Sequence, residues 1–426
     1  MARNFSMLLG LFFLGFFLVF SPANFVAFGQ SSSGWNQTYG GSASESCFSV
    51  LKADDGGYVM VGDTFSFGNG DADVWLVKTD EYGNLVWNRT FGTLGYEDSQ
   101  DLIKTVDGGY LIVGRCNSFG AGDSDLWLIK TDSFGNMQWN KTIGGTGYDK
   151  AWKIVQTADG NYAFAGITDS FGSGGNDYWL LKTDYQGNVL WNTTIGGVGD
   201  DRARCLVNTL DGGFFLTGWS NSYGAGGLDF WLVKADSFGN PQWNMTFGGE
   251  GVERSSSLVS TVDGGCVVVG YTASFGEGET DFFVVKTDFE GNMQWNRTYG
   301  GSEADSAYKI IITDDGSYGV VGNTYSFGLG ENDIWFIKID ENGDLVFDQT
   351  YGGEMSETSQ CLLEDDNGYV IAGVTDSFGV GETDFWLIKT DKNGVIPEFS
   401  SSIVLTLFVV VSAVILFFRR YLRKQS

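Results

Sequence analysis

The stretch DLWLIKTDSFGNMQWNKT, residues 125–142, carries the pattern that decides the fold, Asp-x-Trp-Leu-x-Lys-Thr-Asp-x-x-Gly-Asn-x-x-Trp-Asn-x-Thr. The pattern occurs, in full or in part, seven times in the 426 residues. Its first aspartate stands at Asp73, Asp125, Asp177, Asp229, Asp281, Asp333 and Asp384, at spacings of 52, 52, 52, 52, 52 and 51 residues. The one deletion falls in the turn Asp366-Asn367-Gly368. So regular a period indicates one continuous repeat body rather than separate domains.

Each repeat predicts four short strands separated by tight turns. In the second copy strands A to D are Ser99–Thr105, Tyr110–Asn117, Leu126–Thr131 and Met137–Ile143. Asp107-Gly108-Gly109 suits a hairpin turn with positive φ, and residues 132–136 suit a type I turn closed by a left-handed glycine. Four antiparallel strands in a repeat of this length are typical of one β-propeller blade.

The two ends of the repeat region predict how the ring closes. The last repeat, ending near Asp391, lacks a Trp-Asn-x-Thr strand, whereas Trp35–Tyr39 precedes any strand A. We therefore predict that the N-terminal strand completes the last blade and hides an open edge. The predicted fold class is all-β, a seven-bladed β-propeller of four-stranded antiparallel blades in residues 30–391, with a C-terminal transmembrane helix.

Composition excludes several functions. The formal net charge is -28, from 25 basic and 53 acidic residues, which disfavours nucleic-acid binding. No histidine is present, so the usual general base and the commonest transition-metal ligand are missing. Five unphased cysteines argue against a disulfide framework and suit buried strand positions. Twelve of the fourteen tryptophans occupy two repeat positions, in strands C and D, and are expected to pack between blades.

The termini predict secretion and anchoring. Residues 1–29 suit a signal peptide, with an apolar run at Met7–Phe20 and Ala27-Phe28-Gly29 as the cleavage site, although an uncleaved anchor is an alternative. After a linker at 392–402, residues 403–418 form an apolar transmembrane segment and residues 419–426 a basic tail. The basic tail indicates the cytoplasmic side, so we expect a single-pass membrane protein with an extracellular propeller.

A ring of carboxylates is the first candidate site. Its members are Glu45, Glu97, Asp149, Asp201, Glu253, Asp305 and Glu357, at intervals of 52 residues near the start of each strand A. We expect them to circle one mouth of the central channel, where they could bind Ca²⁺, the one candidate cofactor. Two alternatives are open: the acids cap local backbone N–H groups, or they contribute to a substrate site.

The second candidate is the strand-A position that breaks the repeat symmetry. It holds Phe48, Gln100, Trp152, Arg204, Ser256, Tyr308 and Gln360. Phe48, Trp152, Arg204 and Tyr308 are the candidate ligand contacts in the channel, although drift at an unconstrained position is an alternative. The arginines at 89, 115, 202, 204, 254 and 297 are scattered among repeat positions, and no sialidase-type arginine triad is evident.

The third candidate is a set of glycosylation sequons on strand D. Asn36, Asn88, Asn140, Asn192, Asn244 and Asn296 each begin an Asn-x-Thr triplet. On an extracellular propeller these outer edges would be accessible to modification, which predicts a glycoprotein. The alternative is that the Asn and Thr side chains merely pair along the edge strand.

Three resemblances refine these expectations. The run Thr79–Trp87 resembles the tryptophan-docking motif of quinoprotein dehydrogenase propellers and the Asp-box of sialidases, both structural elements of blades. The tail with Pro397-Glu398-Phe399 resembles archaeal sorting tails, which implies processing by a membrane transpeptidase, although a plain anchor explains the same residues. Residues 35–391 resemble propeller-repeat surface proteins of archaea and bacteria, which implies cell-surface display.

These features together predict a membrane-anchored binding or structural protein at the cell surface, acting in adhesion or ligand recognition. The expected partners are the membrane, through the C-terminal helix, and a glycan or surface protein, with a monomeric propeller and no nucleic acid. No catalytic residue is assigned. The alternative is a secreted carbohydrate-active hydrolase or lyase using carboxylates on the channel face, where the sequence singles out no catalytic pair.

Overall fold

A computed structural model describes residues 34–396, in which residues 35–396 form one compact unit. The signal peptide (1–29), most of the linker (392–402), the transmembrane segment (403–418) and the basic tail (419–426) lie outside the described residues. Between residues 34 and 396 no helix has the length and apolar character needed to cross a membrane.

The described residues form twenty-eight strands. In chain order they are β1 Trp35–Tyr39, β2 Glu45–Lys52, β3 Tyr58–Thr64, β4 Asp73–Thr79, β5 Leu85–Phe91, β6 Glu97–Lys104, β7 Tyr110–Cys116, β8 Asp125–Thr131, β9 Met137–Ile143, β10 Asp149–Gln156, β11 Tyr162–Thr168, β12 Asp177–Thr183, β13 Val189–Ile195, β14 Asp201–Asn208, β15 Phe214–Ser220, β16 Asp229–Ala235, β17 Pro241–Phe247, β18 Glu253–Ser260, β19 Cys266–Thr272, β20 Asp281–Thr287, β21 Met293–Tyr299, β22 Asp305–Ile312, β23 Tyr318–Thr324, β24 Asp333–Ile339, β25 Leu345–Tyr351, β26 Glu357–Asp365, β27 Gly368–Thr375 and β28 Asp384–Lys389.

These strands make seven four-stranded antiparallel sheets, which confirms the propeller prediction. Blades 1 to 6 take four consecutive strands each, from β2–β5 to β22–β25, while blade 7 has the order β1-β28-β27-β26. In blade 7 Trp35 lies opposite Lys389 and Tyr39 opposite Phe385. The N-terminal strand therefore closes the ring as predicted, and β28 is not left as an open edge.

The inner strand of blade 2 begins two residues earlier than predicted. In blade 2 strand A runs from Glu97 rather than Ser99, because the Glu97 N–H bonds to the carbonyl of Ala72 in the preceding blade at 2.9 Å. Local strand propensity contains no information about this contact between blades. The carboxylate is therefore the first residue of the strand and not part of the loop before it.

Tryptophans of the outer strands join neighbouring blades, as predicted. The indole of Trp35 in blade 7 lies on Gly83, in the C–D turn of blade 1. The same contact recurs between neighbouring blades around the propeller. Gly83 has a φ of +80°, and a Cβ there would lie 2.5 Å from the Trp35 ring, so only glycine suits the position. The Tyr39 hydroxyl also donates to the Gly83 carbonyl at 2.5 Å.

A buried lysine in strand C of each blade forms an ion pair that the sequence did not reveal. Lys234, whose side chain is fully buried, lies 2.9 Å from Asp211 in the A–B turn of the same blade. The seven pairs are Lys78–Asp55, Lys130–Asp107, Lys182–Asp159, Lys234–Asp211, Lys286–Asp263, Lys338–Asp315 and Lys389–Asp365. Because a buried charge without a partner is costly, each pair holds its turn against the strand.

The closure makes a prediction about the N-terminal strand. A chain beginning at Gly40 lacks β1, so β28 becomes an exposed edge and the Trp35 and Tyr39 contacts with blade 1 are lost. We expect the free energy of unfolding to fall by about 3 kcal/mol or more and the protein to self-associate through the open edge. Urea unfolding and light scattering measure both effects, with a chain beginning at Gly34 as the control. A monomer of unchanged stability would contradict the closure argument.

Candidate ligand site at the central channel

The inner strands of the seven blades surround a cavity of about 70 Å³. Each strand A contributes two neighbouring residues to its lining, for example Arg204 and Cys205. The cavity has room for a few water molecules, whereas sites for drug-sized ligands are commonly several hundred Å³. Side chains therefore nearly fill the channel at this level, and a larger ligand would have to bind at its mouth.

A β-bulge in every strand A supplies half of this lining. In blade 4, Ala203 lies opposite Gly218 and Cys205 opposite Thr217, so Arg204 has no partner in the ladder. The seven bulged residues, here called the bulge ring, are Phe48, Gln100, Trp152, Arg204, Ser256, Tyr308 and Gln360. A bulge changes the direction of a side chain. The four candidate contacts Phe48, Trp152, Arg204 and Tyr308 accordingly line one cavity, while their contact with a ligand stays a prediction.

A repeated glycine permits this bulge and is the sequence signal that could have revealed it. A Cβ on Gly218 in strand B would lie 1.8 Å from the backbone oxygen of Arg202. The equivalent glycines 62, 114, 166, 270, 322 and 373 meet the inner strand just as closely. An invariant glycine within a strand commonly marks a bulge or a close backbone approach.

The carboxylate ring lies among the loops and does not line the cavity. All seven side chains are fully buried, and each accepts a bond from the backbone N–H four residues earlier. Glu253 accepts from Gly249 N–H at 2.8 Å, from the Thr272 hydroxyl at 2.8 Å and from Ser274 N–H at 3.1 Å. These bonds tie the D–A loop to the B–C loop. Within residues 34–396 no cluster of three or more potential ligands suited to a metal ion occurs, and Ca²⁺ binding by the ring stays a prediction.

Each ring carboxylate has a second acid from the preceding blade as its neighbour. Burial raises the pKa of Asp281 to about 6; a bond from the Glu277 N–H opposes this rise, and the charge of Asp305 adds to it. Burial and the neighbouring Asp201 likewise raise the pKa of Asp177. One side-chain oxygen of Asp177 and one of Asp201 have no hydrogen-bond partner. Such pairs favour binding of a proton in the folded protein.

The fold brings together arginines that are scattered in the repeat. The guanidinium groups of Arg204 and Arg254 lie 5.7 and 5.2 Å from the ring centre of Trp219, on strand B of blade 4. Arg202 lies directly opposite Trp219 in the ladder. Sequence reasoning missed this cluster, because its members come from two blades and from different repeat positions.

The six sequon asparagines lie exposed on the outer strands. The Asn140 side-chain oxygen accepts a bond from the Trp127 indole N–H at 3.2 Å, and Asn36, Asn88 and Asn244 make the same bond. Asp348 replaces asparagine in blade 6 and accepts from Trp335 in the same way. An oxygen acceptor therefore has a structural role at this position. Since a glycan attaches to the nitrogen of the amide, glycosylation is compatible with that role and stays a prediction.

The carboxylate pairs predict an unusual pH dependence. A carboxyl group whose folded-state pKa is raised binds its proton more tightly when folded, so the free energy of unfolding should rise as pH falls from 7 to about 5. Asp281→Asn should remove on the order of 1 kcal/mol of this rise, measured by urea unfolding at both pH values. Glu331→Gln, in an exposed loop, is the control. An identical pH profile for Asp281→Asn and the wild type would contradict the assignment.

The turn aspartates predict the opposite trend at lower pH. Burial acts to raise the pKa of Asp211, but bonds from Thr209 and Lys234 outweigh it and lower the pKa to about 2. A depressed pKa contributes stability that is present above the unfolded value and is lost as pH falls below about 4. We therefore expect stability to pass through a maximum between about pH 4 and pH 5. Stability that increases steadily down to pH 3 would contradict the paired-turn assignment.

Comparisons with known proteins leave the family of this chain open. No family model matches the chain. Regulatory protein FlaEY of Caulobacter vibrioides (strain ATCC 19089 / CIP 103742 / CB 15) is 27% identical over 195 residues, which is 40% of this chain and 20% of that protein. The chain thus spans about a fifth of the length of this curated relative.

Among solved structures, BBS1N in complex with ARL6DN, soaked with lead, has a TM-score of 0.50 and 10% identity, covering 86% of this chain and 98% of that chain. Sqt1 from Chaetomium thermophilum has a TM-score of 0.46 and 11% identity, covering 83% of this chain and all of that chain. At 10% identity, the likeness to BBS1N shows a similar fold and nothing more.

Proposed function

We propose that this protein is a binding or structural propeller displayed on the outside of the cell, with the mouth of its central channel as the ligand site. The observation that carries the proposal is the contrast between scaffold and bulge ring. The position of the carboxylate ring is acidic in all seven blades, and the strand-C lysine is present in all seven. The seven bulge positions, in contrast, hold six residue types. The bulge positions, which face the channel, thus vary although the residues that hold the loops and turns of the scaffold do not.

The propeller fold fits a binding or structural role. The blades form a closed ring, and the cavity at its centre combines aromatic, amide, hydroxyl and charged side chains. Such a mixture on a rigid scaffold is typical of a recognition site. The hydrolase or lyase alternative depended on carboxylates facing the channel, but the seven ring acids are buried and hydrogen-bonded to loops. No observation favours that alternative.

The extracellular location rests on the sequence of the termini. The signal peptide at 1–29 directs export, and the apolar segment at 403–418 followed by basic residues anchors the chain with the propeller outside. Residues 392–402 then act as a short linker, and glycans on the outer strands increase solubility. Processing at the Pro397-Glu398-Phe399 tail is a further part of this proposal.

Protease treatment of intact cells tests the location. We expect added protease to remove the propeller from intact cells, because the linker is outside the membrane. A truncated variant that ends at residue 396, and so lacks the transmembrane segment, should appear in the medium. Immunoblotting of cells and medium measures both results, with a cytoplasmic protein as the control for lysis. Full protection of the propeller in intact cells, with degradation after lysis, would refute surface display.

Substitutions within the bulge ring test the ligand site. Tyr308→Ser and Trp152→Gln place residues that other blades already carry at this position, so we expect a melting temperature within a few degrees of the wild type. Binding on a glycan and surface-protein array should fall at least tenfold for any ligand of the channel mouth. Phe134→Ser, on an exposed C–D turn, is the matched aromatic control. Ligands that bind both bulge-ring variants as tightly as the wild type would place the site elsewhere.

A further inference from the structure

Two tryptophans outside the repeated positions lie beside the same arginine. Twelve tryptophans follow the repeat, and the two that do not are Trp152 and Trp219. The Arg204 guanidinium lies 4.8 Å from the ring centre of Trp152 and 5.7 Å from that of Trp219. An arginine over an aromatic face is held in position by cation–π attraction. Arg204 and the two tryptophans therefore form a cluster held together by its own contacts, which the repeat scaffold does not require.

Blades 2 and 3 show how this chain compensates positive charge near the channel. Asp98 accepts from Arg115 at 2.5 Å and from Lys150 at 3.1 Å. Arg115 also donates to the Tyr148 hydroxyl at 2.6 Å. Lys153, in the cavity lining, pairs with Asp101 at 2.7 Å. On strands A and B of these blades every basic side chain has an acidic partner within the chain.

On strands A and B of blades 4 to 6, most basic side chains lack such compensation. In the described part of the chain no carboxylate lies within ion-pair distance of Arg204, Arg254 or Lys309. The Nε of Arg254 is buried and has no hydrogen-bond partner. Arg202 has only Asp200, at 3.7 Å between two partly exposed side chains. Positive charge is thus left unpaired on this side of the channel although the whole chain carries a charge of -28.

The electrostatic surroundings of Arg204 favour an anion beside it. Burial lowers the pKa of Arg204 to about 10; the neighbouring Tyr308 opposes this shift, and the charges of Arg254 and Arg202 reinforce it. Three basic residues and one acidic residue line the cavity, namely Lys153, Arg204, Lys309 and Asp101. A half-buried cation gains from an anionic partner, so a bound anion would stabilise this group.

We propose that Arg204 and Arg254 bind the carboxylate of an acidic sugar, either free or as the end residue of a glycan, at the channel mouth beside Trp219. The inference rests on the proposed function and adds the ligand class to it. Guanidinium groups bind carboxylates through paired N–H donors, which gives geometric selectivity as well as charge. The half-buried Gln100, Ser256 and Tyr308 around the same cavity suit sugar hydroxyls.

The narrowness of the channel favours a single sugar residue over a protein segment. The cavity of about 70 Å³, whose lining includes Arg204, accepts small groups only. Trp152 and Phe48 add apolar surface to this lining, and a sugar bound at the mouth would insert only one of its substituents between them. An acidic peptide also offers a carboxylate, but the groups that flank this carboxylate are bulkier than a single sugar residue. The peptide is therefore included in the test as a competitor.

Calorimetry with the full-length protein in detergent tests the assignment. The probes are glucuronate, an oligoglucuronate, glucose, inorganic phosphate and an acidic peptide. We expect glucuronate or its oligomer to bind at least tenfold more tightly than the other three, and binding to weaken as salt is raised. Arg204→Gln and Arg254→Gln should each reduce affinity at least tenfold. Arg204→Lys keeps the charge but removes the paired N–H donors of the guanidinium group, so it should give a partial loss.

The controls separate binding from folding and this inference from the proposed function. Arg297→Gln, on an outer strand, should leave affinity unchanged, and the melting temperature of each variant reports on folding. Quenching of tryptophan fluorescence by glucuronate should be lost in Trp219→Phe if the sugar lies beside that ring. Equal binding of glucose and glucuronate, tighter binding of phosphate or peptide, or full affinity in Arg204→Gln would overturn the acidic-sugar site. If the protein binds a neutral ligand and Tyr308→Ser abolishes that binding, the acidic-sugar site is overturned. The proposed function, a ligand site at the channel mouth, would still stand.

Discussion

The structure depends on the pairing of β1 with β28, because a ring of blades has no free edge only when its first and last strands meet. The pairing spans Trp35 to Tyr39 and brings Trp35 onto the C–D turn of blade 1. One strand therefore completes blade 7 and docks it against blade 1. Blades 1 to 6 use consecutive strands, so the rest of the ring follows from local hairpins.

Within the closed ring, repeated polar contacts fix the loops. The buried carboxylate at the start of each inner strand accepts bonds from the D–A loop and from residues at the B–C loop, while the strand-C lysine holds the A–B turn. Most buried polar groups in proteins are hydrogen-bonded, and these carboxylates and lysines follow that rule through at least one bond each. Both ends of each blade are thus held by interactions that do not involve the channel, which leaves the channel residues free to differ.

The bulge connects this regular scaffold to the proposed ligand site. It turns one residue per blade toward the axis, where seven side chains meet from positions far apart in sequence. Six residue types at seven equivalent positions produce an asymmetric cavity within a nearly sevenfold body. Unpaired arginines gather on one side of it, around the two tryptophans that depart from the repeat. Asymmetry of this kind gives a sevenfold ring one preferred orientation for a ligand.

The sequence by itself determined the blade count, the strand order and the closing strand. These follow from a constant period, alternating apolar residues and turn glycines, all of which act locally. It also marked the variable inner position, since the repeat makes departures visible.

Only the tertiary structure decided that Glu97 begins its strand, that the ring acids are buried, and that Arg204, Arg254 and Trp219 meet. These features depend on backbone contacts between blades and on a bulge that shifts the register by one residue. Strand patterns carry no information about which side chains of neighbouring blades come together, because that is set by the geometry of the closed ring.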